Sequence, residues 1–237
     1  MSRAFDTAYA DGGVPTWDLG RPQPAVARLV AEGAFGAPGT SILDAGCGTG
    51  EHALLLASRG HRVVGVDLAG EAIRRARAKA AGPAGGSAPP AAGPSSAGRG
   101  AGEGSPPEGG PPAVRGTPVP RPAPTFLVRD ALDLAGLGPF DAALDVGLFH
   151  VLDDAERPRY AASLAAVVRP GGRAFVLCWS DRNPFGRGPR RVTRRELRRT
   201  FGAAAGWRVD RIDAEELVSR LPGGRVDAWL ARLTRRP

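Results

Sequence analysis

A chain of 237 residues that is 42% hydrophobic and 24% charged can bury the core of one ordinary domain of about 190 ordered residues. No stretch approaches the roughly 18 apolar residues of a membrane-crossing helix, and no basic region followed by an apolar run opens the chain; no membrane partner and a cytoplasmic location are expected. The formal net charge of +8 is concentrated, because eight arginines lie between Arg182 and Arg199 against one acid, Glu196. With no aromatic interleaved beyond Phe185, that stretch reads as a solvated loop and helix face rather than a nucleic-acid surface.

In chain order, Pro22 or Pro24 opens a helix that carries Val26, Leu29 and Val30 and stops near Gly33. An apolar strand, Ile42-Leu43-Asp44-Ala45, then runs into Gly46-Cys47-Gly48-Thr49-Gly50, and helical spacing covers Glu51 to Arg59 with Gly60 as its stop. Glycines at alternate positions let the loop bend sharply under a ligand while the N–H groups of the next helix point at it. A second strand, Arg62 to Leu68, carries Asp67, 17 positions beyond Gly50, where a βαβ unit sets a carboxylate against ribose hydroxyls. The spacing is GxGxG rather than the dinucleotide GxGxxG, and Asp44, Glu51, Asp67 and Asp130 gather negative charge around one crevice. Such a crevice repels a pyrophosphate and suits a cationic ligand.

A helix over Glu71 to Ala80 precedes Gly82, and from Gly82 to Pro124 the chain turns to Gly, Pro, Ala and Ser, with only Val114 and Val119 as larger aliphatics. A segment with so little to bury is expected to be a disordered insertion at a surface connection, where added length costs little. Asp153 or Asp154 caps a helix reaching Val168, with Tyr160, Leu164, Val167 and Val168 on one face and Pro158 in the first turn. A strand over Arg173 to Trp179 leads to the arginine stretch, where Thr193 and Glu196 form a capping box for a helix toward Phe201. Strands at Trp207 to Ile212 and Val226 to Leu233 close the chain. Strands alternating with helices predict a mainly parallel sheet covered on both faces.

These motifs, in this order, resemble the class I methyltransferases that depend on S-adenosylmethionine. The glycine loop with Asp67, Phe126-Leu127-Val128-Arg129-Asp130-Ala131, Phe140-Asp141-Ala142-Ala143-Leu144-Asp145 and Arg169-Pro170-Gly171-Gly172-Arg173 look like that family's cofactor loop, third strand, fourth strand and the turn before its fifth. The resemblance covers about residues 13 to 81 and 125 to 237. It implies an α/β fold with a doubly wound, seven-stranded, mainly parallel sheet and an antiparallel last strand, the Rossmann-like methyltransferase fold. It divides the chain into a lid or cap segment, 1–40, and a methyltransferase domain, 41–237, interrupted by 82–124. It also implies S-adenosylmethionine as cofactor, bound by Trp17, Asp44, Gly46, Gly48, Gly50, Asp67, Leu68, Asp130, Ala131 and Asp145, with Asp130 at the adenine amino group. In that fold the fourth strand keeps Cys47 and Cys178 about 10 Å apart, so no disulfide is expected and a reducing compartment is the natural reading.

Pro15-Thr16-Trp17-Asp18-Leu19-Gly20-Arg21-Pro22-Gln23-Pro24 and Leu148-Phe149-His150 are similar to segments of small-molecule enzymes of the thiopurine S-methyltransferase type and of actinobacterial relatives acting on hydroxylated or N-heterocyclic aromatics. One departure is Val146, at a position where Ser or Thr would contact substrate. The implied reaction moves a methyl group to O, N or S of a small aromatic or heterocyclic acceptor. Residues after strands one and four face each other at the switch in strand order, which places Asp145, Phe149 and His150 near the transferred methyl. His150 is the candidate base or orienter of substrate; His52 follows Gly50 too closely, and His61 precedes the second strand. Three histidines and two cysteines without paired spacing offer no metal site. The alternatives are a nucleic-acid methyltransferase using residues 182–199, although Asp145-Val146-Gly147-Leu148 lacks the Asn/Asp-Pro-Pro-aromatic motif, and a non-catalytic S-adenosylmethionine-binding protein.

Overall fold

Apolar residues alternate along the central strands, and each alternate set finds its own layer of helices. The computed structural model describes residues 7–9, 13–82, 122–184, 186 and 188–237. Its strands are Ser41–Ala45 (β1), Arg62–Asp67 (β2), Thr125–Val128 (β3), Phe140–Val146 (β4), Val168–Trp179 (β5), Trp207–Val218 (β6) and Arg225–Arg235 (β7). They form one seven-stranded sheet in the order β3-β2-β1-β4-β5-β7-β6. β1 to β5 pair in parallel, and β7 runs antiparallel to both β5 and β6.

The helices are Pro24–Ala31 (α1), Glu51–Ser58 (α2), Gly70–Ala81 (α3), Glu156–Val167 (α4) and Arg194–Thr200 (α5). Leu43 and Ala45 of β1, Ala143 of β4 and Val176 of β5 share one core with Tyr160 and Leu164 of α4 and Leu197 of α5. Ile42, Leu144, Phe175 and Leu177 share the other with Leu29 of α1, Leu56 of α2 and Ile73 of α3. Both faces are thus dry, as parallel sheets require. Each fully buried Leu or Phe contributes about 1.5–3 kcal/mol. Trp207 is completely buried, and its indole N–H donates to the Ala161 carbonyl at 2.9 Å, so the sheet's far edge is tied to α4.

Helix starts follow local chemistry. Thr193 and Glu196 form the expected reciprocal box at α5. At α4 the cap is Asp153: its Oδ1 accepts from Glu156 N at 2.8 Å, while Glu156 Oε2 accepts from Asp153 N at 2.9 Å. Asp154 instead pairs with Arg190 at 2.6 Å.

Three boundaries differ from the sequence pattern. β5 begins at Val168, five positions before Arg173, with a register shift between Phe140 and Ala142 that absorbs the Arg169–Gly172 turn. β6 extends to Val218 and β7 starts at Arg225, because continuous pairing along this hairpin overrides the poor strand propensity of Asp213, Glu215 and Glu216. β3 is shorter than expected, ending at Val128, so Asp130 and Ala131 sit in the loop beyond it. Residues 83–121 of the expected insertion lie outside the described residues. Cys47 and Cys178 are buried and free, with β4 between their strands. Among the described residues no helix is long and apolar enough to cross a membrane.

Candidate active site

The order of strands reverses between β1 and β4, and the loops leaving these two strands form the floor of a cavity of about 750 Å³. Backbone N–H groups of Gly46 and Cys47 both donate to the Val66 carbonyl, at 2.8 and 2.9 Å, which folds the loop after β1 back across β2. Gly46 and Gly50 have φ of +70° and +87°, a left-handed backbone that side chains rarely adopt. A Cβ at Gly46 would lie 2.9 Å from Leu148 Cβ, and one at Gly50 would lie 2.7 Å from the Phe126 ring. The glycines therefore permit a close approach as well as a turn.

Asp67, at the end of β2, holds this cradle. Its Oδ2 accepts from Gly48 N at 2.8 Å and its Oδ1 from Ala69 N at 2.9 Å. Asp130 Oδ1 accepts from Leu132 N at 2.8 Å. Trp17, Gly46, Gly48, Asp67, Leu68, Asp130, Ala131 and His150 line the cavity, so eight of the residues singled out from the sequence are brought together.

Asp44, Gly50 and Asp145 are not on that wall. Asp44 is buried below the loop, and its Oδ2 has no hydrogen-bond partner among the described residues. Burial pushes its carboxyl up to about 7 against a hydrogen bond from Ala53, and the Asp145 and Asp67 carboxylates add to the rise. Gly50 is sealed behind Phe126. Asp145, expected to bind the cofactor near the transferred methyl, turns inward. It accepts from Leu148 N at 2.9 Å, Phe149 N at 3.1 Å and the Tyr160 hydroxyl at 2.8 Å. A carboxylate at the end of a parallel strand is the nearest acceptor for the unpaired N–H groups of the following turn, and that local demand decides its direction. Burial raises it to about 7, opposed by the Tyr160 bond and then by the Leu148 and Phe149 amides.

The remaining walls come from distant parts of the chain. Gln23 makes a two-bond pair with the Val218 backbone, 2.9 Å each way, and Asp18 Oδ2 accepts from the Thr49 hydroxyl at 3.0 Å. Arg220 donates through its backbone N–H to Thr16 O at 2.8 Å and through Nε to Asp18 O at 2.7 Å. The N-terminal segment is thereby strapped to both the glycine loop and the β6–β7 hairpin. Trp17 is half exposed, and its indole N–H donates to the Tyr9 hydroxyl at 3.1 Å.

His150 sits in a short 3₁₀ turn, Phe149–Val151, and its Nδ1 accepts from Trp179 N at 3.1 Å. Burial, with a smaller push from Arg157, drives its imidazole down to about 3. His52, set aside on sequence spacing, also lines the cavity, and its Nε2 accepts from Gln23 N at 3.1 Å. Burial lowers it to about 4. The one signal that could have found it is its place as second residue of the helix leaving the glycine loop. His61 packs beside Phe35, away from this wall.

The arginine stretch is largely engaged in the fold. Arg191 lies 4.9 Å from the Trp179 ring centroid and Arg194 lies 4.1 Å from that of Trp229. Arg182 pairs with Asp227 at 3.3 Å, and Arg190 bridges Asp154 and Glu196. Glu196 also meets Arg157, a buried guanidinium, at 3.0 Å, and that group lies 4.6 Å from the Phe149 ring centroid. Gly188, at φ +114°, presses on Trp179 so closely that a Cβ would lie 2.9 Å from the indole.

Comparison with known proteins matches residues 42–87 to a family described as a methyltransferase domain. The chain is similar to the 2-heptyl-1-hydroxyquinolin-4(1H)-one methyltransferase of Mycobacteroides abscessus, 31% identical over 214 residues that cover 88% of this chain and 75% of the relative. It is also similar to a solved structure from work on the conversion of a disulfide bond into a thioacetal group during echinomycin biosynthesis. That likeness has a TM-score of 0.75 and 30% identity, covering 100% of this chain and 93% of the other. The fold is shared with the Burkholderia thailandensis 1,6-didemethyltoxoflavin-N1-methyltransferase solved with 1,6-didemethyltoxoflavin and S-adenosylhomocysteine, at TM-score 0.63 and 21% identity, over 100% of this chain and 87% of that one.

Proposed function

Because this chain belongs to the S-adenosylmethionine-dependent methyltransferases, we propose that it methylates O, N or S of a small aromatic or heterocyclic acceptor. The observation that carries the acceptor class is the composition of the cavity beyond the glycine loop: Val146, Val151, Trp179, Leu217 and Leu221 make an apolar wall in which His150 is a fixed polar group. A hydroxyquinolinone is the acceptor named for the 31% identical relative, and a flat heterocycle of that kind suits such a wall.

The cradle fits the methyl donor on its own chemistry. Asp44 Oδ2 is an unpartnered buried acceptor beneath a loop with no room for Cβ atoms at Gly46 or Gly50. Glu51, Asp67 and Asp130 add carboxylates to the cavity wall, a charge set suited to a ligand bearing an ammonium and a sulfonium. In this reading Asp67 and Leu68 hold the ribose, Asp130 and Ala131 the adenine, and Gly46 and Gly48 the amino-acid end. Asp44 sets the field below the loop, Gly50 gives it room, and Trp17 covers the site. Asp145 is reassigned from ligand to holder of the Leu148–Phe149 turn. When bound, the donor supplies a methyl carbon activated by positive sulfur. The protein's share is to exclude water and to align the acceptor, worth up to about 7–11 kcal/mol in intramolecular reactions.

Residues 1–40 act as the lid or cap segment of a domain spanning 41–237, α1 packing on the sheet and the strap before it covering the site, in a protein of the cytoplasm. Calorimetry with S-adenosylmethionine and S-adenosylhomocysteine tests the donor site. A panel of hydroxyquinolinones, phenols, N-heterocycles and thiols, read by mass gain of one methyl group, tests the acceptor class. Tight donor binding with no transfer to any member would replace the reading with a non-catalytic one.

A further inference from the structure

We propose that His52 and His150 are two fixed hydrogen-bond donors on the wall of one cavity, and that this cavity takes an acidic hydroxyl acceptor as its anion, the proton having left to water before binding. The inference rests on the small-molecule reading above and adds how the site recognises its acceptor.

A ring nitrogen that accepts a hydrogen bond carries no proton, so a neutral imidazole must carry its proton on the other nitrogen. Trp179 N donates to Nδ1 of His150, and Gln23 N donates to Nε2 of His52, each at 3.1 Å. His150 is therefore the Nε2–H form and His52 the Nδ1–H form. Both rings line the cavity, and neither remaining nitrogen is among the sealed, unpartnered atoms of the interior. Among the described residues neither has a protein partner, which leaves each N–H available to a ligand.

A general base must present an unprotonated nitrogen to its substrate. Here the unprotonated nitrogen of each ring faces a backbone N–H. Protonating it would set two donors 3.1 Å apart inside the protein. Burial opposes the charged form as well, holding the rings near about 3 and about 4.

The charged groups on neighbouring elements are otherwise engaged or have the wrong sign to act as a base. About His150, α4 brings Arg157 and Glu156, β4 brings Asp145, and the loop after β5 brings Arg191. Glu156 accepts from Asp153 N, Asp145 from its own turn, and Arg157 from its side disfavours an imidazolium. About His52, its own helix brings Glu51, which pairs with Lys79; the strap brings Asp18 and Arg21, and the hairpin brings Arg220. Asp18 accepts from Gly20 N and the Thr49 hydroxyl. Tyr9 is no base either, since burial pushes its phenol far up.

A neutral N–H donor stabilises an anionic oxygen more than a neutral hydroxyl. The ligand class is an acidic phenol or hydroxy-heteroaromatic, bound as its conjugate base.

The first test is ¹⁵N NMR of the histidine rings in the full chain saturated with S-adenosylhomocysteine, from about pH 5 to pH 9. His150 should remain neutral with its proton on Nε2, and His52 neutral with its proton on Nδ1. A protonation midpoint above about 6 in either ring, or the opposite tautomer, overturns the proposal. The second test titrates 4-nitrophenol, whose colour reports ionisation, into the same complex. The bound phenolate-to-phenol ratio should exceed that of buffer by about tenfold or more, and an unchanged ratio overturns the proposal. In turnover with phenols of graded acidity, the rise of kcat/KM with pH should follow each phenol's own ionisation. His150→Gln, whose amide can both accept from Trp179 N and donate, should retain activity within about tenfold, whereas His150→Ala should lose about a hundredfold in kcat/KM. A common enzyme midpoint for every phenol, or equal losses in the two variants, overturns it. If no panel member gains a methyl group, the small-molecule reading alone fails, and the ring tautomers still decide the donor pair.

Discussion

The two halves of the cavity are built on different principles. The cradle over β1, β2 and β3 is made of backbone, with glycines that bend the chain and aspartates that hold the bends: Asp67 and Asp130 each accept from an N–H two residues on, and Asp67 also reaches back across the β1–β2 unit to Gly48. The proposed acceptor wall over β4 and β5 is made of side chains from segments far apart in sequence, such as Gln23 with Val218 and His150 with Trp179. The cradle is built within one βαβ unit and its neighbouring strands, whereas the proposed acceptor wall draws on both ends of the chain.

Mutations should separate these halves. The largest effect is expected on the acceptor side. Glu196→Ala leaves the Arg157 guanidinium, only 2% exposed, without its ion pair, and should lower unfolding free energy by about 4 kcal/mol in urea titration. On the cradle side, Gly50→Val forces a Cβ to 2.7 Å from the Phe126 ring at a positive φ. It should cost about 3 kcal/mol and abolish donor binding in calorimetry. Asp67→Ala removes the acceptor of two backbone N–H groups and should weaken S-adenosylmethionine by about 2 kcal/mol, roughly thirtyfold, with smaller change in the acceptor KM.

Protons give a finer probe. Asp44 and Asp145 are held at about 7 in the folded protein, above the ordinary value of 3.8 that an unfolded chain shows. The native state thus binds more protons between about pH 4 and pH 7, and stability from these groups is present below that window and lost as pH rises through it. Ligand-free protein should unfold at higher urea at pH 5 than at pH 8, and Asp44→Asn should reduce that difference by about 2 to 3 kcal/mol while weakening the donor. Glu196 runs the other way: burial pushes it up, but hydrogen bonds from Thr193, with Arg190 and Arg157, outweigh that and leave it at about 2. Its contribution is present above the ordinary value of 4.5 and is lost as pH falls toward 2. The smallest effect belongs to the outer face of α5. Arg195, Arg198 and Arg199 together changed to Ala should alter stability and small-acceptor turnover by less than about 0.5 kcal/mol. A strongly salt-dependent affinity for RNA or DNA that this triple variant loses would instead favour a nucleic-acid acceptor.

The glycine loop, the strands β1 and β2 and the Thr193–Glu196 cap were legible because each is a short-range demand: a turn that excludes Cβ, an apolar run, a side chain reaching three residues on. The full length of β6 was not, because its charged residues are poor strand formers and only pairing with β7 holds them extended. Nor was the inward turn of Asp145, whose partner Tyr160 belongs to the next helix, or the place of His52, whose backbone donor lies on the N-terminal strap.

By itself the chain's order of residues determined the sheet's core pattern, the cofactor loop and the acid at the end of β2, since all follow from steric and hydrogen-bonding rules acting over a few positions. Tertiary structure alone decided which histidine nitrogens meet backbone N–H groups, which arginines are taken up by carboxylates and indoles, and which residues form the acceptor wall. Those outcomes depend on contacts between distant segments, and such contacts exist only once the sheet has brought the segments together.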